Sequence, residues 1–148
     1  MSFRCAALFV CAVVGTAAAL SAHAAENGLK VSDAWMRVIV PLRPASGYFT
    51  LSNKTDHPYV LVGASSSGCG SLMLHQSELR NGQEHMAMVQ AVLVPVHGFV
   101  KFSPGGYHLM CMKPTNEMKP GNSVPVTLTF KDGATVTADF QVHGPTGK

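Results

Sequence analysis

Charge is scarce in this 148-residue chain: Asp, Glu, Lys and Arg together supply 13% of it, and only eight residues are acidic. So few carboxylates leave no acidic loop for calcium and no carboxylate pair for general acid–base catalysis. The eleven basic residues are scattered, and the formal charge is only +3. No basic run alternates with aromatics, so a nucleic-acid surface is excluded. Also missing are a phosphate-cradling glycine loop and a locally supported Ser-His-Asp grouping, and an enzyme is not expected. The longest apolar stretch, Cys5 to Leu20, runs 16 residues, short of the ~20 that a membrane-spanning helix takes. With no repeat, linker or low-complexity tract, a chain of this length reads as a single domain.

What is present begins with apolar residues, 47% of the chain, enough for a buried core. Arg4, the apolar stretch after it and the small-x-small run Ala22-His23-Ala24 form the pattern of a cleaved secretory signal over residues 1–25. Cys11 is a poor lipidation site, because the bulky Val10 precedes it. The mature domain, residues 26–148, is then exported, free of the membrane and expected to be monomeric. Cys5 and Cys11 leave with the leader, and Cys69 and Cys111 remain. An even pair in an oxidising compartment favours a disulfide. Strand parity opposes it, since Cys69 shares the parity of His75 while Cys111 is out of phase with His108. Gly68 and Gly70 offer a place for a bulge. The pairing stays open at this level.

Short segments rich in β-branched and aromatic residues follow one another with turn signals between them: Leu29–Val40, Ser46–Asn53, Tyr59–Ser66, Ser71–Gln76, Ala87–Val96, Phe99–Phe102, Tyr107–Met112, Val124–Phe130 and Thr135–Val142. The last two flank Asp132-Gly133, a hairpin signal. Strands in such succession without helices indicate an all-β domain, an antiparallel Greek-key sandwich or barrel.

Chemistry concentrates in "YHLMCM". Alternation places His108, Met110 and Met112 on one strand face and Tyr107, Leu109 and Cys111 on the other. In "SLMLHQ", Met73 and His75 share a face while Leu72 and Leu74 take the core. "RNGQEHMAM", Arg80 to Met88, reads as a polar loop delivering His85, Met86 and Met88. Thioether sulfur is a soft, neutral ligand that suits Cu(I) and serves zinc, iron or magnesium poorly. Zinc calls for thiolates or carboxylates, which do not cluster here. Two imidazoles with two thioethers would leave a single positive charge on Cu(I).

His75, ten residues, Met86, twenty-one residues, His108, one residue and Met110 spell H-x10-M-x21-H-x-M. A match to that pre-specified pattern arises by composition about once in a thousand such chains. With "DAWMR", "GYFTLSN", "LHQ", "PGGYHLMCM" and "VPVTLTFKDG" around it, the chain resembles the PCuAC-type periplasmic copper chaperones associated with assembly of the CuA centre of cytochrome oxidase. The resemblance spans Leu29 to Val142. It implies a cupredoxin-like β-sandwich, Cu(I) ligation by His75, Met86, His108 and Met110, and a periplasmic location. As recipient it implies subunit II of cytochrome c oxidase or a Sco-type assembly factor. Leucine is common in this family where Cys111 stands, which leaves the thiol a local variation or half of a disulfide.

Lone methionines on strands are more often packing than ligands, which assigns Met36 and Met118 to the core. Met73, His85, Met88 and Met112 remain candidates for secondary metal contacts. His57, His97 and His143 lie beside turns and read as surface residues. Two alternatives stand beside delivery to the oxidase. One is copper scavenging or detoxification through the same site. The other is blue-copper electron transfer, which needs a cysteine thiolate with a nearby histidine; none follows Cys111 before His143.

Overall fold

A computed structural model describes residues 28–147. The leader expected over residues 1–25 lies outside the described residues. Ten strands follow one another without a helix among the described residues: β1 (Leu29–Arg37), β2 (Ala45–Asn53), β3 (Tyr59–Ser66), β4 (Cys69–Arg80), β5 (Gln83–Met88), β6 (Val92–Val94), β7 (Phe99–Phe102), β8 (Tyr107–Pro114), β9 (Ser123–Phe130) and β10 (Thr135–His143).

Hydrogen bonding orders them β5-β4-β8-β2-β1-β10-β9-β3-β6, and β3 also pairs with β4. Seven strands, β4-β8-β2-β1-β10-β9-β3, therefore close into a barrel-like sandwich. The closing seam is narrow, with Ala64 opposite Leu72 as its register pair. β5 and β6 flank the closed ring, while β7 shares one edge of β2 with β8. This is the cupredoxin-like all-β fold, in one domain.

One pair departs from the antiparallel expectation: β1 and β10 run parallel, with Trp35 opposite Gln141. Parallel neighbours need a long crossover; here the rest of the domain is that crossover.

The core is aromatic at its centre. Phe49 stacks on Phe102 at 4.3 Å and meets Phe140 edge-on at 5.5 Å. Leu51, Leu61, Leu109, Leu128 and Phe130 are buried around them, as is Met36. β2 passes close to β1 and β8 at Gly47, where an added Cβ would stand 2.7 Å from Met36 Sδ and 3.1 Å from Leu109 Cβ.

The β9–β10 hairpin forms at the expected turn. Gly133 takes φ +87°, and Ala134 N–H donates to Asp132 Oδ1 at 2.9 Å. Two expectations fail. Ala87–Val96 is not one strand: β5 ends at Met88 and β6 begins at Val92. The first pairs with β4 and the second with β3 on another part of the sheet, so the chain must turn between partners. Nor is Arg80–Met88 a loop. Arg80 ends β4, only Asn81 and Gly82 turn, and Gln83 to Met88 is β5.

Cys69 and Cys111 are joined, with S–S 2.06 Å and Cα–Cα 5.5 Å. The parity objection is met by both strands breaking their alternation together. Cys69 and Leu72 are buried with exposed Gly70 and Ser71 between them. Cys111 and Pro114 are buried with Met112 and Lys113 between them. The register across the break does not shift, because Cys69 faces Pro114 and Ser71 faces Met112. Lys113 accommodates it with φ +49°, opposite a glycine.

The bridge closes a loop with a sequence separation of 42. In the chain-entropy picture its loss costs about 3–4 kcal/mol. A Cys69→Ser, Cys111→Ser variant should lose stability of that order in urea unfolding, and reductant should destabilise the wild-type protein alone.

Candidate metal centre

Three adjacent strands make the site. β4 and β8 are antiparallel with Met73 opposite Met110 and His75 opposite His108. On its other side β4 pairs with β5, setting Met88 opposite His75, Met86 opposite Ser77 and His85 opposite Glu78. The alternation that buries Leu72, Leu74, Leu109 and Cys111 in the core turns the intervening residues to the opposite face. That face carries successive rows: Ser77 with Met86, then Met88, His75 and His108, then Met73 with Met110.

The two imidazole rings stand 5.7 Å apart, centroid to centroid, nearly edge to face. His108 is 3% exposed, and its Nδ1 lies 3.1 Å from the Gly106 carbonyl oxygen. A carbonyl only accepts, so Nδ1 carries the proton and Nε2 keeps its lone pair. The same carbonyl accepts the Ser77 N–H at 3.0 Å, which ties the His108 ring to β4 as well. Among the described residues, the buried side-chain nitrogens and oxygens without a hydrogen-bond partner are His75 Nδ1 and His108 Nε2. Leaving a buried polar atom unmatched costs about 1–3 kcal/mol. Two such atoms on facing rings are what a metal ion would satisfy.

The thioethers decide which metal fits. Among the described residues no three histidine, cysteine, aspartate or glutamate side chains gather as a harder ion would require. What surrounds the rings is neutral and soft: Met73 and Met110 half-buried in the row beside them, Met86 and Met88 on β5 at 52% and 58% exposure. Burial, and after it Coulomb repulsion between the two rings when both are protonated, holds the His75 imidazole below its ordinary titration range, keeping its lone pair free of protons near neutral pH.

Not every candidate reaches this place. His85 pairs with Glu78 and takes the opposite face of β5 from Met86 and Met88. Met112 faces Ser71, two rows beyond Met110's neighbour His108, about 13 Å along the strand from that imidazole. Cys69 and Cys111 spend their sulfurs on each other at the core side. His97 pairs with Asp56 at 2.7 Å, and His143 Nδ1 lies 3.0 Å from the Gly147 oxygen. Met36 and Met118 are core residues, at 0% and 5% exposure. The strand that brings Met86 and Met88 escaped the sequence reading, although Asn81-Gly82 is a strong two-residue hairpin signal. Both residues have positive φ, +53° and +75°.

Residues 29–142 match the family described as "LpqE-like: Putative lipoprotein LpqE-like". The chain is 32% identical over 126 residues to "Putative lipoprotein Lxx21020" of Leifsonia xyli subsp. xyli, covering 84% of this chain and 75% of that protein. Among solved structures it resembles CuI-DR1885 of Deinococcus radiodurans, with 31% identity, TM-score 0.63, and coverage of 83% of this chain and 85% of that one. A copper-bound PCuAC domain from PmoF2 shares the fold at TM-score 0.66 and 24% identity, over 80% of this chain and 94% of that domain.

The lowered His75 value has a signed consequence. The unfolded chain protonates this imidazole at the ordinary pKa of about 6.5, whereas the folded protein does so only at lower pH. The native state is therefore favoured above pH 6.5 and loses that advantage as pH falls toward the folded value. Thermal melts of the metal-free protein from pH 8 to pH 5 should decline more steeply than those of His75→Gln.

Proposed function

The chain belongs to the LpqE-like family, of PCuAC type, and from that footing we propose that it is an exported, periplasmic copper chaperone. It holds one Cu(I) ion through His75, Met86, His108 and Met110 and passes it on for assembly of the CuA site of cytochrome c oxidase. Copper is cargo here, and no bond of a substrate is made or broken. The observation that carries the reading is the pair of buried, unmatched nitrogens, His75 Nδ1 and His108 Nε2, on a sheet face that also carries the thioethers of Met73, Met86, Met88 and Met110. The Cu(I) form named for the Deinococcus relative supports the oxidation state.

The ligand types suit a carrier. Neutral donors leave the ion monovalent and soft, and the exposed thioether of Met86 lets an acceptor displace it. Delivery to subunit II or to a Sco-type factor is the recipient that the family resemblance implies. Scavenging or detoxification uses the same site with a different recipient, and deleting the gene separates the two. A chaperone deletion lowers oxidase activity at limiting copper and is rescued by added copper. Blue-copper electron transfer loses its necessary thiolate, since Cys111 is bonded to Cys69.

Competition with a Cu(I)-specific chelator tests the assignment. One Cu(I) should bind far more tightly than Zn(II), and an affinity weaker than about micromolar would sink the chaperone reading. His108→Ala and His75→Ala should cost the most affinity, and Met86→Ala less, because its sulfur comes from an exposed edge strand. Met118→Ala should lower stability by about 2–4 kcal/mol and leave Cu(I) affinity unchanged. The Cys69→Ser, Cys111→Ser variant should keep its affinity too, and Cu(II)-loaded wild-type protein should show no intense blue thiolate colour.

A further inference from the structure

The H-x10-M-x21-H-x-M spacing accounts for Met86 and is silent on Met88, yet the strand register gives Met88 the more direct position. Met88 stands straight across from His75, in the row that contains both imidazoles, while Met86 stands across from Ser77. Directly opposed residues bring their Cβ atoms to about 4.5–5.5 Å and diagonal ones to about 7–8 Å. A methionine side chain, unbranched and with three rotatable bonds, spans either gap. Both sulfurs lie on one face of β5, an outermost strand of the sheet whose residues are all exposed. At 52% and 58% exposure, neither side chain is held in place by packing.

Building on the Cu(I) assignment above, we propose that Met88 is a second, exchangeable thioether ligand of the same ion. It replaces Met86 on copper bound by His75 and His108, and the exchange opens the site to an acceptor. In this step the bond from copper to the Met86 sulfur breaks as the bond to the Met88 sulfur forms. Both donors are neutral and copper stays Cu(I), so neither a proton nor an electron is transferred. A site with two interchangeable edge thioethers never has to release its ion to fewer ligands while an incoming soft donor attaches. Affinity and lability are thereby separated: the imidazoles hold, and the thioether pair exchanges.

The test uses protein labelled with 13C at the methionine ε-methyl groups, titrated anaerobically with Cu(I), in the wild type, Met86→Leu, Met88→Leu and the double variant. Leucine keeps the volume at these exposed positions, and the amide spectrum of each metal-free variant checks the fold. At one equivalent of Cu(I) the Met88 methyl should move in the wild type and move further in Met86→Leu. Each single variant should lose less than about tenfold in affinity and the double variant far more than the product of the two. Met88→Leu should also slow copper transfer to a competing chelator at nearly constant affinity. A Met88 methyl that stays still while Met86 moves overturns this inference and leaves the chaperone reading intact, as does a Met86→Leu variant no better than the double. Absence of Cu(I) binding by the wild type overturns both.

Discussion

The antiparallel ladder between β4 and β8 is the constraint on which the site depends. Because side chains alternate with a period of two, the register that seals Leu72, Leu74, Leu109 and Cys111 into the core also faces His75 toward His108 and Met73 toward Met110. A slip of one residue would turn the leucines out of the core and the imidazoles into it. The hydrophobic face thus guards the geometry of the polar one. The disulfide reinforces this at the far end of the same ladder, joining the two strands from the core side.

The two faces divide the labour between permanence and exchange. On the inner face the contacts are apolar and buried. On the outer face, the donors are ones that water satisfies poorly when they are buried: two imidazole nitrogens with no partner, and thioethers that accept hydrogen bonds only weakly. A soft monovalent ion suits both kinds of donor and would bring only a single positive charge to the site. Nothing in these donors would demand that an ion stay, since they are neutral and the two thioethers of Met86 and Met88 project from an exposed strand.

The barrel and the faces of "SLMLHQ" and "YHLMCM" that carry the histidines and methionines were legible because their inward residues are apolar and their alternation is regular. β5 was not. Gln83, Glu84, His85, Met86, Ala87 and Met88 are all exposed, so no hydrophobic period marks them as a strand; what holds them is backbone pairing to β4 and the Asn81-Gly82 turn. The Cys69–Cys111 bridge was hidden for another reason. Parity argues against it when each strand is read alone, and the obstacle vanishes only when Gly70 and Lys113 break the alternation of both strands together. That is a property of a pair, which no single stretch of sequence displays. The closure of the ring through Ala64 and Leu72 is equally a matter of tertiary contact.

The motif spacing itself acquires a structural meaning from the hairpin. With Asn81 and Gly82 as the whole turn, Arg80 pairs with Gln83, and counting outward from there pairs Ser77 with Met86 and His75 with Met88. Ten residues between a histidine and a methionine therefore encode a diagonal across one rung of a two-residue hairpin, and twelve encode the direct pair. The spacing is a statement about the turn as much as about the metal. Adding one residue to β5 between Gln83 and Met86 would send both sulfurs to the face that His85 now occupies, whereas the same addition far from the ladder would be absorbed by a loop. The two-residue turn decides which sulfur stands directly across from His75 and which stands one rung away.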